Sequence, residues 1–208
     1  PLLLDAPRVS PKGVATKELS PVYFCIKDPR SRLGYHSKRQ FNLIFAIAES
    51  ILMFHPTDKV AYFIAFNPRM KEFSDDGIHL SGAYGPRFIL CLDRILRKLR
   101  SDDCSRQAVV NIFRNADLSR ITKDVPCTLS LQFLIRGGKL HLHVYMRSND
   151  LFWGTQYDVF NFTVIQEVIA NELGCELGNY YHSATSLHVY ERHFTLLEKL
   201  ESFEACRF

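Results

Sequence analysis

The stretch Lys123-Asp124-Val125-Pro126-Cys127-Thr128-Leu129-Ser130-Leu131-Gln132-Phe133-Leu134-Ile135-Arg136-Gly137-Gly138-Lys139-Leu140-His141-Leu142-His143-Val144-Tyr145-Met146-Arg147-Ser148-Asn149-Asp150 decides how this chain folds. Apolar and polar residues alternate over 128–135 and again over 140–146, which is the period of half-buried strands. Gly137-Gly138 between them supplies the left-handed residues of a two-residue hairpin turn. A proline and a cysteine stand where the hairpin begins, and an arginine stands where it ends. The hairpin therefore brings Cys127 and Arg147 to one end of a sheet.

Outward from the hairpin, Val159–Leu173 reads as an amphipathic helix closed by Gly174. Arg87–Arg100 has helical spacing with basic residues in its last turn. Arg39–Phe54 is helical with Phe41, Ile44, Phe45, Ala48, Ile51 and Leu52 on one face, and His55-Pro56 ends it. Strands are expected at 22–26, 108–113 and 187–190, and a last helix over 191–203. Residues 1–21 read as an irregular arm and 67–86 as a loop. Without a repeat, low-complexity segment or linker, the chain reads as one α+β domain over residues 1–208.

The 208 residues carry a formal net charge of +4, with 47% apolar and 23% charged residues. That composition is ordinary for a soluble globular protein and gives no strong nucleic-acid signal. Six cysteines show no C-x-x-C spacing, so zinc-ribbon and redox motifs are excluded and a reducing cytoplasm is the expected location. No apolar run approaches the roughly 20 residues of a membrane span, and no signal peptide opens the sequence. The histidines lack H-E-x-x-H spacing or cysteine partners, so no metal site is expected.

Pro126-Cys127, Arg147-Ser148-Asn149-Asp150, Gly154-Thr155-Gln156-Tyr157-Asp158 and His188-Val189-Tyr190-Glu191-Arg192-His193 form an ordered series that resembles the thymidylate synthase family. The resemblance is good over roughly residues 80–200, from Gly82-Ala83-Tyr84-Gly85 onward, and looser over 10–78. It implies a thymidylate synthase-like fold: a mixed β-sheet flanked by helices, with one sheet face forming a homodimer interface that the 16 phenylalanines could supply. It also implies a catalytic set of Cys127, Glu49 and Tyr84, with 5,10-methylenetetrahydrofolate as the one-carbon donor. In that mechanism a Cys127 thiolate adds to C6 of the pyrimidine, and Glu49, in an apolar helix, moves protons. Nearby arginines are expected to lower the thiol pKa.

By the same resemblance Arg106 and Arg147 hold phosphate, with Arg106 reaching across the dimer. His188 and Tyr190 meet the sugar hydroxyl, Asp150 lies near folate and pyrimidine, and Ser148 follows the phosphate arginine. Several positions depart from the family pattern. Gln107 replaces a second arginine, with Lys12 or Arg8 as possible substitutes; Thr128 stands where a histidine is usual, and Asn161 where a serine is usual. Asp158 stands where the family's asparagine reads uracil, as in its cytidylate hydroxymethylases. A carboxylate offers only acceptors, which suit the N4 amino group of cytosine and not O4 of uracil; the plainer reading of Asp158 is a helix cap. The expectation is 5-hydroxymethylation of a cytidine nucleotide (CMP or dCMP), with a nucleotide 5-methylase or a non-catalytic nucleotide-binding homologue as alternatives. The chain stops soon after its last helix, and less closure of the site would favour water as the final nucleophile.

Overall fold

The hairpin of the opening stretch is the centre of the larger of two sheets. The structure is a computed structural model and describes residue 3 and residues 5–34 and 41–201. The expected helix start at 39–40, the end of the last helix and Cys206 lie outside the described residues. In chain order the elements are β1 (Arg8–Val9), β2 (Thr16–Leu19), β3 (Val22–Ile26), α1 (Leu43–Met53), α2 (Val60–Ile64), α3 (Gly85–Ser101), β4 (Val109–Asn111), α4 (Asn115–Ser119), β5 (Thr128–Arg136), β6 (Lys139–Met146), β7 (Asn149–Asp150), α5 (Thr155–Leu173), β8 (Glu176–Ala184), β9 (Leu187–Tyr190) and α6 (Phe194–Glu201).

The larger sheet has the order β3-β8-β6-β5-β4 and the smaller the order β1-β2-β9-β7. β5 and β6 pair antiparallel around Gly137 and Gly138, both at positive φ. β6 and β8 pair parallel, which requires a crossover; α5 provides it. The mixed sheet expected from the family resemblance is thus present. Residues 1–21 are not wholly irregular, because β2 pairs antiparallel with β9. The loop expected over 67–86 contains a short 3-10 helix at Pro68–Phe73. β8, in the middle of the larger sheet, was not expected at all.

One face of the larger sheet buries the main core, with Leu131, Phe133, Leu142, Val144 and Tyr180 packed against Phe88 and Leu99 of α3 and Phe162, Ile165 and Ile169 of α5. α1 also packs on α5, with Phe45 and Ala48 of the expected face buried but its isoleucines turned out. Ile44 and Ile51 are 69% and 64% exposed, whereas Phe45, Ala46, Ala48, Ser50 and Met53 are buried. Small residues on the inner face let α1 approach α5 closely, and Ser50 Oγ donates to Asn161 Oδ1 at 2.6 Å across that contact. The other sheet face carries Tyr23, Tyr145, Tyr181, His141 and His143, with Tyr181 stacked between Tyr23 and His143. Tyrosine and histidine line it; Phe88, Phe133 and Phe162 are in the core.

Candidate active site

The site forms where the Cys127 end of β5, the Arg147 end of β6, the short β7 and the first turn of α5 converge, closed by α1 and the loop before α3. Cys127 is half-buried. The backbone N–H of Arg147 donates to its carbonyl at 2.9 Å. The Arg147 guanidinium then wraps the loop before it, with Nε donating to Pro126 O at 2.9 Å and Nη2 to Val125 O at 2.9 Å. The same Nη2 lies 3.6 Å from Cys127 Sγ. This arginine fixes the thiol and presents positive charge to it.

The thiol pKa is nevertheless raised and not lowered, contrary to the sequence expectation. Burial is the main cause; Arg147 works against it, while Asp158, Asp124 and Asp150 add to it. Burial therefore favours the protonated thiol. Beside it, the Tyr84 hydroxyl accepts from the Thr128 N–H at 3.1 Å. Burial raises the phenol pKa, with the Cys127 and Asp158 charges adding to it. Thr128 Oγ1 is buried with no hydrogen-bond partner among the described residues.

Glu49 and Asp158 are two of the site's carboxyls, beside Asp150 and Asp124. Glu49 Oε2 accepts from Asn161 Nδ2 at 2.8 Å, and burial pushes its pKa up to about 7. Asn161, at the position usual for a serine, thus holds the glutamate. Asp158 Oδ2 accepts from Asn149 Nδ2 at 2.7 Å. Its pKa is also pushed up to about 7, by burial first and then by the Glu49 charge. Asp158 does not cap a helix: α5 begins at Thr155, earlier than the expected Val159, and Gly154 occupies the N-cap position. A Cβ at Gly154 would meet Asn149 Nδ2 at 2.9 Å and Asp150 O at 3.0 Å, so the close turn beneath Asn149 needs glycine.

Raised carboxyl values have a sign in stability. Both groups bind their protons more tightly in the folded chain, so their contribution to stability is fully present below about pH 4 and is lost as pH rises through 7. Asp158→Asn is expected to raise the stability of the ligand-free protein at pH 8 by on the order of 2–4 kcal/mol and leave it little changed at pH 4.5. Thermal unfolding of both proteins at the two pH values checks this; an equal fall in both would refute it.

The remaining expected residues divide. Asp150 shapes the turn: its Oδ1 accepts from the N–H groups of Phe152 and Trp153. Ser148 is half-buried between Arg147 and Asn149. His188 is buried edge-on to Tyr190, with ring centroids 5.1 Å apart. The Tyr190 pKa is raised by burial, with Asp150 and Cys127 contributing, which brings β9 to the site. Arg106 is exposed on the chain leading into β4 and is not among the contacts of this cluster. Gln107 Oε1 accepts from Lys98 Nζ, and Arg8 lies over the Phe194 ring. Sequence reasoning passed over Asn149 and Asn161 as carboxyl partners, and also Asp124, which accepts from the Gly82 N–H at 2.7 Å.

A half-buried cysteine held by arginine thus stands at the end of a mixed sheet, with Asp158 near it and Glu49 beside Asp158. The thymidylate synthase family model matches residues 81–204, and the chain belongs to that family. Its relatives include the deoxyuridylate hydroxymethyltransferase of Bacillus phage SP01, 38% identical over 200 residues, covering 88% of this chain and 52% of that protein. Another is the deoxyuridylate hydroxymethyltransferase of Pseudomonas phage M6, 34% identical over 171 residues, covering 78% of this chain and 49% of that protein. The fold is also that of the thermostable thymidylate synthase A from Bacillus subtilis, with TM-score 0.78 and 24% identity, covering 92% of this chain and 72% of that one. This chain spans about half the length of the two phage relatives. Among the described residues, no helix is long and apolar enough to cross a membrane.

Proposed function

We propose that this chain transfers a one-carbon unit to C5 of a pyrimidine nucleotide and releases the 5-hydroxymethyl product. The observation that carries the reading is the placement of Cys127 against Arg147 Nη2 with Glu49 and Asp158 protonatable near pH 7. Cys127 sulfur adds to C6, and the electron pair of the C5–C6 double bond moves toward C5 and the ring carbonyl. The Arg147 charge favours the thiolate over the thiol at that moment, opposing the burial that otherwise keeps it protonated. Glu49, poised near 7, exchanges protons with the ring. C5 would take up the one-carbon unit as the donor's C–N bond breaks, C5 would give up its proton to a base, and water would add to the exocyclic carbon as the Cys127 thiolate leaves C6.

The one-carbon donor proposed is 5,10-methylenetetrahydrofolate, which supplies carbon at the oxidation level of formaldehyde. The residues present fit such a group. Asp150 Oδ2 accepts no hydrogen bond among the described residues and suits an N–H-rich ring, Trp153 is 45% exposed beside it, and the unpartnered Thr128 Oγ1 adds a polar atom.

The expectation of cytosine rested on an ionised Asp158. With its pKa about 7, the carboxyl is available as the acid at neutral pH, and in that form carries one O–H donor and one acceptor. That complement equals an asparagine amide and can read uracil. Together with the names of the phage relatives, it makes deoxyuridylate the first candidate substrate. A cytidine nucleotide is the second reading, favoured by the carboxyl itself, which accepts from N4–H. We further propose a homodimer through the tyrosine- and histidine-lined sheet face, with Arg106 and Arg147 as phosphate ligands and His188 and Tyr190 at the sugar.

Mass analysis of products from dUMP, dCMP and CMP, each incubated with 5,10-methylenetetrahydrofolate, tests the reading. A hydroxymethyl gain on dUMP is expected. A gain on a cytosine nucleotide alone would select the second reading, and a 5-methyl product alone would overturn hydroxymethylation.

A further inference from the structure

Behind Asp158 runs a file of buried polar groups that no step above uses. Tyr180 and His182 are fully buried and Asn149 is 2% exposed. The Tyr180 hydroxyl lies 2.7 Å from His182 Nδ1, His182 Nε2 lies 3.1 Å from Asn149 Oδ1, and Asn149 Nδ2 lies 2.7 Å from Asp158 Oδ2. Thr155 Oγ1 also donates to Asn149 Oδ1, at 2.7 Å.

The direction of each bond follows from what the groups are able to give. Asn149 turns its NH₂ to the carboxyl, so its Oδ1 faces His182 and can only accept. His182 Nε2 therefore carries hydrogen. Burial drives the His182 pKa down to about 4, so the ring is neutral and Nδ1 is bare. Tyr180 donates to that nitrogen. Reversing the file would leave the Tyr180 O–H without an acceptor among the described residues, which is costly in a buried site, and would set a carbonyl oxygen against Asp158 whenever that carboxyl is ionised.

We propose that Tyr180, His182 and Asn149 act as positioning residues that keep an N–H on Oδ2 of Asp158, confine that carboxyl's dissociable proton to Oδ1, and thereby set which oxygen offers a donor to the base. The proposal rests on the reading that Asp158 recognises the base. A neutral carboxyl presents one donor and one acceptor. In one order they match uracil, accepting from N3–H and donating to O4. In the other they match cytosine, donating to N3 and accepting from N4–H. A carboxyl whose proton moved freely between its oxygens would discriminate poorly, so the one-way file acts as a base selector. The other titratable groups facing Asp158 are Glu49 on α1, Asp150 on β7, the Cys127 thiol and the Tyr84 and Tyr180 phenols.

Tyr180→Phe keeps the ring and frees His182 to take either tautomer. His182→Phe keeps the stack on Phe24, whose ring centroid is 4.7 Å away, and deletes the N–H. Calorimetric affinities for dUMP and dCMP from pH 6 to 9 would be compared among the parent, these two variants and Asp158→Asn. In both file variants the affinity ratio between the bases is expected to shrink about tenfold, and the alkaline fall in affinity to move up by about one pH unit, because Asn149 is then free to turn its N–H off the carboxylate. An unchanged ratio and profile in both, with Asp158→Asn altering base preference, would overturn the file's role and leave Asp158 as base reader. An unchanged preference in Asp158→Asn, or no binding of either nucleotide by the parent, would overturn both.

Discussion

Replacing Cys127 by alanine is expected to lower turnover by at least about 10⁴-fold while nucleotide binding stays within a few-fold of the parent. The thiol is the single group in the cluster able to form the bond to C6, and its removal leaves Arg147 still bound to Val125 O and Pro126 O. The loop therefore has no reason to collapse. Glu49, Asp158 and their asparagine partners are untouched. Single-turnover product formation alongside calorimetric nucleotide binding checks both halves. Retained turnover would overturn the covalent route, and loss of binding with turnover would show that the thiol is needed for the pocket itself.

The second large effect lies outside the reacting groups. Arg87 is 5% exposed and forks onto Asp117, with Nη1 to Oδ2 at 2.5 Å and Nη2 to Oδ1 at 2.8 Å. The same guanidinium donates to Ile112 O and Ser81 O, and Asp117 Oδ2 accepts from the Arg114 N–H. One ion pair thus ties the loop before Tyr84 to the chain following β4 and to α4. The guanidinium holds the Asp117 carboxyl below the usual carboxylate range, so its contribution is present above pH 4 and is lost on acidification. Asp117→Ala strands a buried cation and is expected to cost about 3–5 kcal/mol. Urea unfolding at pH 7 measures it. A loss below about 1 kcal/mol would mean that water replaces the carboxylate and the clamp is dispensable.

The hairpin and α3 were legible because each buries one face and so prints its period in the sequence, whereas the strands at 22–26 and 187–190 showed only as short apolar runs. β8 was not legible. Its inward side chains include Gly178, Tyr180, His182 and Ala184, and its outward ones Asn179, Tyr181 and Ser183. Neither side is plainly apolar, because the inner one is spent on the polar file and the outer one on the tyrosine face. α1 misled in the opposite way, with its bulky isoleucines turned outward and its small residues inward. At the site, resemblance located Cys127, Arg147 and Asp158. It did not supply protonation, which depends on burial and on neighbours such as Glu49 that are distant in sequence. A carboxyl that carries its own donor can match either base, so a uracil reading now stands beside the cytosine expectation.

The pairing of β3 with β8 and of β2 with β9 has a consequence during synthesis. β2 and β3 leave the ribosome long before their partners β9 and β8, because the hairpin and all but one of the helices lie between them in the chain. At 5–20 residues per second, the early strands wait on the order of ten seconds with open edges. Pro21 and the charged Lys17 and Glu18 interrupt that waiting stretch, which makes it a poor template for pairing with a neighbouring nascent chain.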